Sequence, residues 1–61
     1  MARWDSPWMV EERPEGVWVS SVDIGLYVET IEDGLDFVRA TRYRGDVTVV
    51  DSDGYSYRER V

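Results

Sequence analysis

Hydrophobic and polar positions change rhythm along this chain, and the changes divide it into segments. From Trp8 to Arg13 the apolar residues Trp8 and Val10 recur every second position, which predicts a strand with both on one face. Pro14-Glu15-Gly16 is a turn signal, and residues 17–21 read as the return strand of a hairpin. Residues 22–24 extend that strand, Gly25 marks a bend or bulge, and residues 26–29 form a third short strand with Leu26 and Val28 inward. Residues 1–7 show no period and read as an irregular arm.

At Thr30 the period lengthens. Thr30 is an N-cap candidate with an acid, Asp33, at the third helical position. At 100° per residue Ile31, Leu35 and Val38 fall in one sector, with Gly34 and Thr41 beside it and Phe37 flanking it. Glu32, Asp33 and Asp36 lie opposite. This predicts an amphipathic helix of about three to four turns that ends at Gly45 as C′ residue, with Arg42 and Arg44 in its last turn. Gly34 weakens a helix relative to Ala, which suggests a close crossing of the sheet there. Residues 47–50 carry β-branched side chains on both faces and read as a central strand. Asp51-Ser52-Asp53-Gly54 is a tight turn, and residues 55–60 alternate as the last strand. The predicted fold is α+β: a single antiparallel-rich sheet with one amphipathic helix packed on one face, in the order β-β-β-α-β-β, one domain over residues 1–61.

The segments Glu29-Thr30-Ile31-Glu32-Asp33-Gly34-Leu35-Asp36-Phe37-Val38 and Val47-Thr48-Val49-Val50-Asp51-Ser52-Asp53-Gly54 resemble small bacterial and phage α+β domains, in which a capped acidic helix leads to a strand, an Asp-x-Asp-Gly turn and a polar last strand. The resemblance covers about half the chain. It implies the fold and no activity.

Composition narrows the function classes. At 61 residues the chain buries only ~60% of its unfolded surface, so a good core or self-association is needed. Cys and His are absent, which removes disulfides, thiolate metal sites and the commonest general base. The lack of Cys fits a reducing cytoplasm. No apolar run is long enough to cross a membrane and no signal-peptide pattern appears. The net charge is −6, with −7 in residues 1–38 and +1 in residues 39–61. Repulsion then argues against nucleic acid and anionic membranes as partners, and a basic protein is compatible.

Three groups are candidates for chemistry. Asp51-Ser52-Asp53-Gly54 has the look of a calcium loop, but Val49 and Arg60 stand where further oxygen ligands are required, so a plain turn and no metal is expected. Glu29, Glu32, Asp33 and Asp36, spaced i, i+3, i+4 and i+7, share a face if the helical turn reaches back to Glu29. They suit either a binding face for a basic partner or favourable placement against the helix dipole. Among the aromatics, Trp18 is expected in the core. Trp4, in the arm, either folds back or anchors a partner. Ser20 and Ser21 have no His or Lys to activate them, and no phosphate-binding glycine loop is present. The expected function is therefore a non-enzymatic protein-interaction module without cofactor. Alternatives are an inhibitor that mimics nucleic acid to block a basic host protein, and a structural homo-oligomer, for which a homodimer is the simplest form.

Overall fold

The computed structural model describes residues 8–22 and 24–61. The first hairpin forms as the two-residue alternation requires. Strand β1 (Trp8–Arg13) pairs antiparallel with β2 (Gly16–Ser20), Arg13 opposite Gly16 and Val10 opposite Val19. Strand β3 (Gly25–Val28) continues the meander against β2, with Val17 opposite Val28. Two reversals return β3 to the direction of β1. Helix α1 (Ile31–Ala40) then carries the chain back across the sheet, so β4 (Asp46–Val50) runs parallel to β1, with Val10 opposite Val49. Strand β5 (Ser56–Arg60) closes a hairpin on β4. The sheet order is β3-β2-β1-β4-β5, three antiparallel pairings and one parallel. The expected α+β architecture is observed, with β1 rather than β4 at its centre.

Pairing partners share a face, and one face carries the core. Trp8, Val10, Val17, Val19, Val47 and Val49 project from the sheet toward Leu35 and Val38 of α1, and all eight are buried. Leu26, Val28, Ile31, Phe37, Tyr43 and Val61 seal the margin. Trp8 meets Phe37 edge to face, centroids 5.9 Å apart. The core is aliphatic and mostly valine, so α1 must approach closely to fill it. Gly34 makes that approach possible: a Cβ there would lie 3.0 Å from both Val10 Cγ1 and Val19 Cγ2.

The helix begins where its cap predicts. Thr30 is extended (φ −135°, ψ 163°), and its Oγ1 accepts from the Asp33 N–H at 3.0 Å. Thr30→Ala is expected to cost ~0.5–2 kcal/mol by leaving that N–H to water. Urea unfolding followed by circular dichroism measures it, and Thr30→Ser, which keeps the capping hydroxyl, should avoid most of the loss. An unchanged midpoint for Thr30→Ala would show that the cap contributes nothing.

Four expectations are corrected. Strand β2 stops at Ser20 and does not continue through Val22, and the Ser21 N–H bonds the Ile24 carbonyl at 2.9 Å. The helix ends at Ala40 and not near Gly45. Thr41 Oγ1 donates to the Val38 carbonyl at 2.6 Å, and the Thr41 and Arg42 amides bond the carbonyls of Val38 and Arg39, each at 3.0 Å. With those acceptors satisfied, Arg42 takes the left-handed conformation (φ 73°) expected of Gly45. Arg42 and Arg44 consequently lie beyond the helix, and Arg39 is the basic residue of its last turn. Gly45 instead exchanges backbone hydrogen bonds with Val61. Gly25 is no bulge, since it opens β3 in register with Ser20. Strand β4 is interior but not buried on both sides: Val47 and Val49 are enclosed, while Thr48 and Val50 on the other face are half-buried. The expected arm, residues 1–7, lies outside the described residues. Among those described, no helix is long and apolar enough to cross a membrane.

Candidate functional site

The carboxylates at the start of α1 are the first candidates. Glu32 and Asp33 occupy the first turn and Asp36 the second, and all three are exposed. Their outward placement follows from the helix period, because Gly34, Leu35 and Val38 take the sheet side. Glu29 stands apart. The extended Thr30 separates it from the helix, so the i, i+3, i+4, i+7 alignment does not extend back to it, although it too is exposed. Asp36 is engaged by Arg39, Nη1 to Oδ1 2.6 Å, one helical turn away. That exposed ion pair is worth little in stability, but it leaves Glu32 and Asp33 as the less encumbered acids. Trp4, the other candidate contact, lies outside the described residues.

The Asp51 turn is a backbone device. Asp51 Oδ1 accepts from the amides of Asp53 and Tyr55, both at 3.0 Å, and the Gly54 amide bonds the Asp51 carbonyl at 3.0 Å. Gly54 has φ 90°, a conformation that side chains rarely adopt. Glu12 Oε1 also accepts from the Ser52 amide at 3.2 Å and ties this turn to β1. These contacts engage Asp51 Oδ1 in ordering the turn backbone. No group of three or more potential metal ligands occurs among the described residues.

A second cluster forms on the sheet face that α1 leaves uncovered, and the sequence reading did not anticipate it. The register places Trp18 between Glu11 of β1 and Tyr27 of β3, opposite to Val17 and Val19. Trp18 is therefore outside the core, contrary to expectation. Its indole lies across Gly25, where a Cβ would overlap Trp18 Cζ2, so Gly25 serves as floor for the ring. The Tyr27 ring stands 4.8 Å from it, tilted 58°. The Arg13 guanidinium sits 5.2 Å from the Trp18 centroid, within cation–π range. Arg13 also donates to the Tyr27 hydroxyl at 3.4 Å and to Glu11 Oε1 at 3.0 Å, and Tyr27 in turn donates to Glu15 Oε2 at 3.0 Å. The Tyr27 and Glu11 bonds raise the Arg13 pKa above its ordinary value. The signal for this cluster was present: a Trp between two inward valines of one strand must point to the other face.

The same face continues over β4 and β5, where Arg58 and Arg60 approach Asp46 at 3.9 Å and 3.6 Å. No pocket opens among the described residues. What this molecule offers is an acidic helix start, an aromatic and mixed-charge sheet face, and two sheet edges, all of which suit contact with another surface. Comparison of the chain with protein-family models, with curated proteins and with solved structures finds no match.

Proposed function

We propose that this protein is a non-enzymatic interaction module, a small accessory protein of bacterial or phage type acting in the cytoplasm, that binds a basic surface on another protein. The observation that carries the reading is the two-sidedness of α1. Its apolar side is consumed by Val10 and Val19 of the sheet, and its outward side presents Glu32, Asp33 and Asp36 to solvent. The same acids complement the helix dipole, a stabilising effect of ~0.3–1 kcal/mol each, so binding and stability draw on one arrangement. Glu29 adds a carboxylate ahead of the cap, and Trp4 is proposed as an apolar anchor.

The test begins with a partner recovered from native extract by carbodiimide cross-linking, which joins carboxylates to lysines, and purified. Association kinetics are then compared for the parent and for Glu32→Gln/Asp33→Asn. Charge complementarity chiefly accelerates encounter, and at ~0.15 M ionic strength it reaches only ~8 Å. The double variant is expected to associate several-fold more slowly, to lose most of its salt dependence and to keep its dissociation rate. Unchanged on-rates at every salt concentration would sink the acidic-helix reading.

A further inference from the structure

The two edges of the sheet differ in a way that bears on how a partner attaches. β5 presents Ser56, Tyr57, Arg58, Glu59 and Arg60, all exposed, so three consecutive charges line that edge. Charge, proline and bulges are the usual means of discouraging strand addition. β3 has none of them. Gly25, Leu26, Tyr27 and Val28 are uncharged, and all four keep register with β2. The outer side of β3 has no strand partner among the described residues. In antiparallel pairing each residue turns its N–H and C=O to one side and the sides alternate, so every second residue of β3 offers a donor and an acceptor outward. Apolar surface gathers at the same place: Val22 is 82% exposed, and Ile24 and Tyr27 are each 45% exposed.

We propose that the β3 edge takes up an extended segment of the partner protein as a sixth strand, and that this segment is basic at the end lying beside Glu29. The proposal rests on the interaction-module reading and supplies its mode of attachment. Backbone pairing gives affinity in such strand addition, and flanking side chains give specificity. Here the flank is acidic. Glu29 follows β3 directly, Glu32 and Asp33 open the next helix, and Glu15 is held by the Tyr27 hydroxyl; all four are exposed. Arg13, the nearby cation, is engaged by Glu11. The sequence at the other flank, residues 22–24, holds one acid, Asp23, against these four. A second copy of this chain would bring its own net charge of −6 to the same edge, so like-charge repulsion disfavours it as occupant. Antiparallel addition, the commoner pairing, sets the N-terminus of the incoming segment beside Glu29.

Two peptides test this on the full chain: acetyl-Lys-Arg-Thr-Val-Thr-Val-Thr-amide and its counterpart beginning Glu-Glu. Residue-resolved amide hydrogen exchange is measured with each at millimolar concentration. The basic peptide is expected to slow exchange of β3 amides by about tenfold or more, as pairing protects a fraying edge, and the acidic peptide is not. Ile24→Lys, an exposed substitution that guards the edge, should abolish the protection while leaving the melt unchanged. Glu29→Gln should weaken it. Protection confined to β5 or to α1, equal protection by both peptides, or no effect of either overturns the proposal. So does β3 protection that grows with protein concentration without peptide, which would identify a second copy as the occupant. Failure here with an intact Glu32 and Asp33 effect on partner association leaves the acidic-helix reading standing, and loss of both removes the interaction surface altogether.

Discussion

Leu35→Ala is expected to leave the protein at or beyond the edge of unfolding at room temperature. Leu35 is 8% exposed and is the largest aliphatic side chain in a core whose other buried members are six valines and Trp8. Leu-to-Ala changes in cores cost ~2–5 kcal/mol, the transfer energy of the lost methyls plus the cavity they leave. At ~0.05–0.15 kcal/mol per residue, a chain of this length has ~3–9 kcal/mol in total. A cost in the upper half of that range, ~3.5–5 kcal/mol, therefore removes all or most of a total stability near the low end of ~3–9 kcal/mol. Collapse of the cavity is limited, because Val10 and Val19 are fixed by the sheet and cannot follow the helix inward without breaking the ladder. Urea titration followed by far-ultraviolet circular dichroism is the measurement, with Ile31→Ala as the comparison, since Ile31 is only partly buried. A loss below ~1 kcal/mol for Leu35→Ala would mean that the core relaxes freely and is not packed as described.

What the sequence made legible is what neighbouring residues decide among themselves. The β1–β2 hairpin, the Thr30 cap, the inward set of α1 and the Asp51 turn all follow from side chains within a few positions of one another, and the close crossing was flagged by one residue, Gly34, alone. What it did not make legible depends on distant partners. Nothing local in Val47-Thr48-Val49-Val50 says that its neighbour is β1, in parallel, or that its second face stays partly open; both follow from where the β3–α1–β4 crossover sets the chain down. The end of α1 is a local exception, decided by contacts only three residues apart. Gly45 is the stronger stop signal in isolation, but Thr41 satisfies the last carbonyls earlier, and the Tyr43 hydroxyl bonds the Asp46 carbonyl at 3.0 Å to fix the path into β4. For the candidate site the same division holds. The acids of α1 were readable from helix period, except that Glu29 falls outside it. The Arg13–Trp18–Tyr27 cluster joins three strands, and only its outward sense was implied by alternation.

Gly34→Val is expected to destabilise the protein by ~1–3 kcal/mol or more, although it removes a glycine from a helix interior. Two effects oppose each other. Any side chain at position 34 reduces the backbone freedom of the unfolded chain, which for Ala is worth up to ~1 kcal/mol and for Val somewhat less. Against this stands space. The first carbon alone would lie 3.0 Å from Val10 Cγ1 and from Val19 Cγ2, and both valines are completely buried, so neither has solvent to move into. Val adds two further methyls at the same spot, and overpacking of a filled core typically costs ~1–3 kcal/mol. Gly34→Ala, with propensity and contact nearly matched, should change stability much less than Gly34→Val does. The cause can be isolated by making room. Val10→Ala removes both Val10 methyls that the new side chain meets and leaves the Val19 contact in place; on its own it should be destabilising through the cavity it leaves. In combination with Gly34→Val the two losses should be clearly less than additive, because each relieves the fault of the other. Additive losses would place the defect in the helix itself and not between α1 and the sheet, and the close crossing at Gly34 would then not be what sets the distance between the two layers.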